Sequence, residues 1–468
     1  MSYMNIFLIL LGKVVFFLSR TLSLGSGSTW PGHIVMEIKP KFVRQILKSN
    51  PNLKVVLVAG TNGKTTMSLM LQKILEQGGI RVFRNEAGAN LLNGIASSII
   101  RNTNLTGRLS FDVAIFEVDE RNVALALQEM SVVSGQPAPL RGARPGLSVV
   151  LLNIFRDQLD RYGEVNKVLS DWEEALSSVD SNTLLFTNGD DPALSLLTQN
   201  TKLKTYYFGI DEKLMIKDST GHDVDFIYCP NCQTKLDYRK VSYSHMGKFK
   251  CPSCGFTNPK TETFSTLPSP LLGNYNIYNI NAAALAGDKG FGISEDKIRT
   301  ALTDFKPAFG RQEEITYKGR KILMLLSKNP AGFNQSIDAI VNFHPRGGKD
   351  HTPRGCTILL VLNDRIPDGR DVSWIWDVDF ENLPKDSKIF ISGDRAYDMA
   401  LRIKYLDSTQ NSKLKTQNFN SNVQIFENLK DAIEIATRET STNETLFILP
   451  TYSAMLEARK ILTGRSIL

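Results

Sequence analysis

The sequence predicts an α/β protein with two large domains, each built on a mostly parallel sheet, and a small zinc-binding module inserted in the first domain. Short β-branched runs alternate with helical stretches along most of the chain, which indicates parallel strands covered by helices. A glycine-rich loop joins the first of these strands to the next helix. Two Cys-x-x-Cys pairs interrupt the alternation farther along and predict the inserted module.

The composition is that of a folded protein with more than one core. The chain has 468 residues, of which 42% are hydrophobic, enough for two or three domains. Its net charge is +7 and its basic residues form no long run, so nucleic-acid binding is not favoured; an acidic ligand or an anionic membrane surface fits equally well. Five cysteines, four of them in close pairs, do not match a disulfide framework and predict a cytoplasmic protein.

Residues 1–50 are predicted to form an N-terminal helical segment. Its apolar runs at residues 6–11 and 14–18 are separated by Gly12 and Lys13. Together they are shorter than the roughly 20 apolar residues of a spanning helix, and no convincing cleavage pattern follows. We expect a helix that packs on the protein body or lies on the inner face of the membrane, with a single span or an uncleaved signal as the alternative.

Two α/β domains follow this segment, over residues 51–308 and 309–468. Strands of the first domain are expected at residues 54–59, 112–117, 147–153 and 183–187. The pattern restarts with apolar runs at residues 322–326, 358–362, 388–391 and 446–449, which predict a second, Rossmann-like domain. Polar residues follow several strands of the first domain, and open α/β sheets bind ligands at that edge.

The loop after the first strand is a candidate phosphate site. Its residues are Gly60, Thr61, Asn62, Gly63, Lys64, Thr65 and Thr66. Between a strand and a helix, the backbone N–H groups of such a loop converge on phosphate oxygens of ATP, with Lys64 at the β and γ phosphates and the Thr65 hydroxyl on Mg²⁺. Val58 stands where the general P-loop pattern has its first glycine, and a chance glycine loop is the alternative.

The two Cys-x-x-Cys pairs predict a structural zinc site, in a ribbon over residues 226–258. The four thiols belong to Cys229, Cys232, Cys251 and Cys254. Four thiolates leave no open coordination position, so Zn²⁺ would be structural rather than catalytic. A nucleic-acid-binding ribbon and a redox pair are the alternatives.

The loop sequence Gly-Thr-Asn-Gly-Lys-Thr resembles that of Mur ligases and folylpolyglutamate synthases. The resemblance implies that Glu117, in Phe-Glu-Val-Asp-Glu, holds Mg²⁺. It also implies nucleotide contacts from residues in three further motifs, namely Asn188, Asp190 and Asp191, then Asn276, and finally Arg311. This chain also departs from those enzymes at three positions. Gln158 stands where many of them have a histidine, and Trp172 stands where some have a carbamylated lysine. Lys328 replaces the histidine of their Asp-Tyr-Ala-His-Asn-Pro motif.

The ribbon, with the segments Lys-Asn-Pro-Ala-Gly-Phe-Asn and Asp-Gly-Arg-Asp-Val-Ser-Trp, resembles the MurT-type subunits of lipid II isoglutaminyl synthase over essentially the entire chain. The resemblance implies ATP-dependent amidation of the α-carboxyl of D-glutamate in the lipid II stem peptide, through an acyl phosphate. It also implies a heterodimer with a GatD-like glutamine amidotransferase that supplies ammonia.

In that family an aspartate of the last domain orients the partner's catalytic histidine, and the matching position is Asp371, with Asp377 and Asp379 as alternatives. Without the resemblance, Asp371 is better interpreted as the cap of a turn.

Two other functions compete with this interpretation. A folylpolyglutamate synthase, or another amino-acid-adding Mur-type ligase, would share the phosphate loop, but it would not explain the ribbon or the Trp-rich segment around Asp371. In a nucleic-acid-binding ATPase the ribbon would recognise the nucleic acid, but the chain has no helicase-type motifs. No glutaminase motif is evident either, so ammonia must come from another chain.

Overall fold

The computed structural model describes residues 3–21, 29–85, 89–134, 146–156, 165–215, 223–343, 356–384, 386–408 and 422–465. From their glycine and proline residues, the stretches at residues 135–146 and 345–355 are expected to be surface loops. Both lie outside the described part of the chain, apart from Gly146, and so does Gln158. Three helices open the structure: α1 Tyr3–Thr21, α2 Trp30–Ile38 and α3 Phe42–Lys48. The two apolar runs at the N-terminus therefore form one continuous helix rather than two separate elements. No helix of the described ranges combines the length and the apolarity needed to cross a membrane.

Gly12, between the two apolar runs, lies where α1 packs closely against its neighbours. A Cβ atom at this position would lie 2.9 Å from the side chain of Ile100 and 3.4 Å from that of Val35. The glycine thus lets α1 pack closely against its neighbours, and the helix continues through it. Leu8 and Ile9 on the same side of α1 are fully buried.

The first sheet has six parallel strands in the order β2-β3-β1-β4-β5-β6. Their bounds are β1 Lys54–Ala59, β2 Val82–Arg84, β3 Val113–Glu117, β4 Leu147–Leu151, β5 Leu184–Asn188 and β6 Lys204–Phe208. The covering helices are α4 Lys64–Gln77, α5 Leu92–Asn102, α6 Val123–Ser134, α7 Val165–Ser178, α8 Pro192–Gln199, α9 Asn274–Leu285 and α10 Glu295–Thr303. A large apolar cluster lies on each face, as the uninterrupted apolar strands require.

An antiparallel hairpin, β7 Asp237–Tyr243 and β8 Met246–Lys250, forms a separate small module with the four paired cysteines. Its own apolar cluster contains Leu236, Phe249 and Phe256 beside two of the cysteines. The hairpin docks on the first sheet through Asp190, which accepts hydrogen bonds from Lys248 Nζ at 2.5 Å and Asn258 Nδ2 at 3.5 Å.

The second sheet has the order β13-β12-β11-β14-β10-β9, with only β9 antiparallel to its neighbour. Its strands are β9 Arg311–Tyr317, β10 Arg320–Leu325, β11 Thr357–Val361, β12 Lys388–Ser392, β13 Val423–Ile425 and β14 Thr445–Pro450. Its helices are α11 Pro330–Val341, α12 Ala396–Lys404, α13 Leu429–Glu439 and α14 Tyr452–Thr463, and short 3₁₀ turns cover Ser373–Asp377 and Phe380–Asn382. All eight strands predicted for the two sheets are present. Four other strands, β2, β6, β9 and β13, were not predicted, and all four lie at sheet edges.

Candidate functional site

A cleft of about 350 Å³ lies where the carboxyl ends of strands from both sheets meet. The first sheet contributes the loop after β1 and the residues after β3, and the second contributes residues after β10, β11 and β14. Its lining includes Thr61, Asn62, Gly63, Lys64, Thr65, Thr66, Glu117, Glu120, Asn276, Arg311, Gln312, Lys328 and Tyr452. Most of the residues predicted to contact ATP therefore come together in one place.

The loop between β1 and α4 is held by contacts that fix its backbone. The Asn62 N–H donates to Asn153 Oδ1 at 2.8 Å, and Asn153 Nδ2 donates to the Asn62 carbonyl at 3.0 Å. Gly63 has a φ of +88°, and a Cβ there would lie 2.2 Å from Asn279 Oδ1, so only glycine fits. Gly60 has a φ of +141° and lies behind the loop against Asn153. This shape presents the N-terminus of α4 to the cleft, where an anion is favoured.

Glu117 is the centre of a buried polar cluster at the end of β3. Its carboxylate accepts hydrogen bonds from Thr65 Oγ1 at 2.6 Å, Ser68 Oγ at 2.7 Å and Arg84 Nη1 at 3.0 Å. The side chain is only 3% exposed. A carboxylate and hydroxyl oxygens within hydrogen-bond distance are the hard ligands that Mg²⁺ prefers. The residues present therefore fit a magnesium site formed by Thr65 and Glu117, and binding of the ion there stays a prediction.

Lys64 lies folded over the loop rather than extended into the cleft. Its ammonium group donates to the carbonyl oxygens of Gly60 and Thr61, and to Glu120 Oε1 at 3.2 Å. Glu120 is fixed in turn by the indole of Trp172, which donates to the Glu120 carbonyl at 2.8 Å. Trp172 is fully buried. Trp172 therefore packs in the core and holds the backbone of Glu120, which pairs with Lys64.

Arg311 and Asn276 complete the cleft on the side of the second sheet. Burial lowers the pKa of the Arg311 guanidinium, and the negative charge of Glu117 opposes that shift. Asn276 donates to the Leu272 carbonyl at 2.7 Å and accepts from Asn279 at 3.1 Å. It therefore holds in place the Asn279 side chain that lies against Gly63. Both residues line the cleft, and their contact with a nucleotide stays a prediction.

The residues of the Asn-Gly-Asp-Asp-Pro motif are not in the cleft. Asn188, Asp190 and Asp191 are each fully buried, and their hydrogen bonds are to the protein. Asp191 caps α8 by accepting from Ala193 N at 2.9 Å, and Asp190 holds the cysteine-bearing hairpin. The structure thus gives the motif a supporting role behind the loop. Its contact with the nucleotide stays a prediction.

Side-chain contacts beside the cleft join loops of the first sheet to loops of the second. The amides of Asn62 and Asn329 exchange hydrogen bonds of 3.1 and 3.4 Å. Arg156 Nη2 lies 3.5 Å from Asp377 Oδ2, and the same guanidinium group forms an ion pair with Asp225. Asn329 belongs to the segment where this chain departs from the Mur motif, and it contacts Asn62 in the loop between β1 and α4.

The four paired cysteines converge on one point. Their Sγ atoms all lie within 4.8 Å of one another, with Cys229 and Cys254 at 3.7 Å and Cys232 and Cys251 at 3.4 Å. Zn–S bonds of about 2.3 Å in a tetrahedron require sulfur separations of about 3.8 Å. The geometry therefore fits a Zn²⁺ ion. Convergence of all four thiols favours this interpretation over a redox pair.

We expect purified, reduced protein to contain about one Zn²⁺ per chain, held by four thiolates. Cys232→Ser removes one ligand and is expected to lose most of the metal and to lower the melting temperature, because the small hairpin core depends on it. Cys356→Ser is the matched control, since Cys356 lies beside the second sheet. Metal analysis that finds no zinc in the unaltered protein would contradict this expectation.

Asp371 lies at the surface of the domain built on the second sheet, and it is not among the residues that line the cleft. Its Oδ1 accepts from Ser373 N at 2.8 Å, so it does cap the turn before Trp374. Its side chain is exposed at a shallow depression with Trp376, Arg395 and Leu401. The alternatives have contacts inside the chain: Asp377 with Arg156 at 3.5 Å, and Asp379 with Asn334 at 3.1 Å.

Two family models match this chain in order. The Mur ligase middle domain matches residues 58–287, and the MurT ligase C-terminal model matches residues 326–455. The chain is 29% identical to subunit MurT of the glutamine-hydrolyzing lipid II isoglutaminyl synthase of Streptococcus pneumoniae, over 97% of this chain and 95% of that relative. The chain belongs to the MurT family of ligases. A MurT subunit from Staphylococcus aureus is also 29% identical, over 81% of this chain and 83% of its own length.

Solved structures of other Mur-type ligases share the MurT-family fold seen here. A pseudomurein peptide ligase type C from Methanothermus fervidus superposes with a TM-score of 0.61 at 23% identity, covering 90% of this chain and 81% of that one. MurF from Thermotoga maritima in complex with ADP superposes with a TM-score of 0.58 at 17% identity, covering 92% and 85%. These structures establish the ligase fold.

Several residues of this MurT-family cleft carried no motif signal. Ser68 could have been found, because it lies three residues after Thr65 and therefore on the same helix face. Arg84 is on a short edge strand, and Glu120 is one of several acids after β3. Their roles depend on contacts between elements distant in sequence, so only the structure reveals them.

Proposed function

We propose that this MurT-family chain is the ATP-using subunit of a lipid II isoglutaminyl synthase. In this function it converts the α-carboxyl of D-glutamate in the lipid II stem peptide to an amide, giving D-isoglutamine for peptidoglycan biosynthesis. The single observation that carries the proposal is the cleft. There a phosphate-type loop, Lys64 and the Thr65–Glu117 pair lie together in a chain whose relatives are named for that reaction.

The proposed chemistry has two steps. An oxygen of the substrate carboxylate attacks the γ-phosphorus of ATP. The bond between that phosphorus and the β-γ bridging oxygen breaks, ADP departs, and the substrate becomes an acyl phosphate. Ammonia then attacks the acyl carbon, phosphate departs, and the nitrogen loses a proton to give the amide. The loop N–H groups and Lys64 would bind and orient the phosphates. Mg²⁺, when bound at Thr65 and Glu117, supplies positive charge that neutralises the phosphoryl oxygens.

The ammonia would come from a GatD-like glutamine amidotransferase that binds as a heterodimer partner. The exposed region around Asp371 supports a partner surface there. Trp376, Tyr397 and Leu401 are 49%, 64% and 46% exposed, although large apolar side chains of this kind are usually covered. Aromatic residues are also enriched at the centres of protein interfaces.

We also propose the domain limits expected from the sequence, namely residues 51–308 for ATP binding and 309–468 for the Rossmann-like partner domain. Each has its own sheet and apolar clusters in the structure, which supports the division. The reaction would take place on the cytoplasmic side of the membrane, because ATP is available there.

The test measures ATP hydrolysis and amide formation with purified protein, lipid II and glutamine, with and without the amidotransferase subunit. Hydrolysis that depends on lipid II, with amidation that depends on the partner or on added ammonia, would support the proposal. Hydrolysis stimulated instead by a folate and glutamate, with an amino acid added rather than an amide formed, would replace it with the folylpolyglutamate synthase function.

A further inference from the structure

Helix α1 has two apolar faces, and only one of them is packed on the protein. The packed face includes Leu8, Ile9 and Gly12, which lie against α2 and α5. A helix that is apolar all round is normally enclosed by protein or lipid. The second face is therefore the feature that needs an explanation.

That second face is exposed along the whole length of the helix. Its members recur every three or four residues, so they form one continuous stripe opposite the buried side. They are Tyr3, Phe7, Leu10, Val14 and Phe17, which are 92%, 57%, 50%, 46% and 67% exposed. Trp30 at the start of the adjacent α2 is 56% exposed. Tyr and Trp are the residues that favour a membrane–water boundary.

The N-terminal segment that contains α1 is positively charged. The first 50 residues contain six Lys or Arg and one Glu, a net charge of +5 out of +7 for the entire chain. Two of these cations contact the helix or belong to it: Lys39 donates to Asn5 Oδ1 at 2.7 Å, and Lys13, within α1, donates to the Arg101 carbonyl at 3.3 Å. Arg101 of α5 adds a third positive charge, with its guanidinium 5.8 Å from the centre of the Phe16 ring. Acidic residues are absent from the helix sequence itself.

We propose that the exposed stripe of α1 docks on a lipid bilayer with anionic headgroups. The apolar side chains would enter the interface, and the surrounding cations would contact the headgroups, as in interfacial amphipathic helices. This inference deepens the proposed function, on which it rests for its purpose, because lipid II is itself anchored in the membrane. The docked face would hold the cleft near the membrane that contains the substrate.

The test is co-sedimentation of the full chain with vesicles of phosphatidylglycerol and phosphatidylcholine, and with pure phosphatidylcholine. We expect binding to the anionic vesicles that weakens at high salt. The double variant Phe7→Gln/Phe17→Gln should bind roughly tenfold more weakly or worse, since two large apolar side chains no longer leave water. Deleting the helix would be a poor test, because that would also uncover the buried partners of Leu8 and Ile9.

The matched control is Leu214→Gln/Ile425→Gln, two apolar residues that are 39% and 43% exposed elsewhere on the surface. It should bind vesicles like the unaltered protein. Equal binding by the α1 variant, or no binding by the unaltered protein, would overturn the proposal. Detection by sedimentation of a dimer that the α1 variant no longer forms would also overturn the proposal. It would show that a second copy of the chain covers the stripe.

A soluble substrate analogue separates this proposal from the proposed function. The α1 variant should amidate the analogue at the normal rate and lipid-linked substrate more slowly. Vesicle binding without amidation of either substrate by the unaltered protein would refute the proposed function and leave the docking surface intact.

Discussion

Glu117→Gln is expected to lower the amidation rate by roughly 100-fold or more, with a modest fall in the melting temperature. The amide keeps the size of the side chain and its one oxygen can still accept from Thr65 or from Ser68, but the ion pair with Arg84 is lost. It removes the negative charge that a Mg²⁺ ion requires at this point. The measurement is the rate of amide formation on lipid II at saturating ATP and free ammonia, so that the glutaminase step is bypassed.

Raising the Mg²⁺ concentration should recover part of the lost rate if the defect is in metal affinity. The control is Glu173→Gln, which removes an exposed carboxylate from α7 and should leave the rate unchanged. An unaltered rate in a folded Glu117→Gln protein would remove Glu117 from the magnesium site. A large fall in melting temperature together with lost activity would instead assign it a structural role beside Arg84.

The parts of the fold that the sequence predicted are those determined by strong local patterns. Central strands such as β1 and β11 are buried on both faces and appear as uninterrupted apolar runs. The strands that were missed lie at edges, where one side of the backbone has no neighbouring strand and fewer apolar residues are needed. Strand β6, for instance, has a fully buried side chain only at Phe208.

The candidate site was predictable to the extent that its residues belong to contiguous motifs. The loop from Gly60 to Thr66 and the acid Glu117 lie in short sequence patterns with a known chemical purpose. The Asn62–Asn329 contact joins residues 267 positions apart, and no local pattern specifies it. The Asn-Gly-Asp-Asp-Pro motif shows that a contiguous motif can also have a different role. Its sequence resembles a nucleotide-contacting loop, but in the structure it is buried and anchors the cysteine-bearing hairpin through Asp190.

Asp371→Asn is expected to reduce glutamine hydrolysis by the assembled heterodimer by roughly 100-fold or more. The carboxylate would orient the partner's catalytic histidine and stabilise its cationic form, and an amide does neither. The substitution is unusually well matched, because an asparagine Oδ1 can still accept from Ser373 N and preserve the turn. The measurement is glutamate release from glutamine, after binding of the two subunits has been verified.

Amidation with a high concentration of free ammonia should survive in Asp371→Asn, since Lys64 and Glu117 lie in a separate cleft and need only a nucleophile. Asp377→Asn is the matched comparison: it removes a nearby carboxylate whose contact is with Arg156 inside the chain. If Asp377→Asn loses glutamine hydrolysis and Asp371→Asn does not, the triad assignment moves to Asp377. If Asp371→Asn loses ammonia-driven amidation to the same degree as glutamine hydrolysis, Asp371 does not act on the partner, because a residue that only orients the partner's histidine has no role once ammonia is supplied directly.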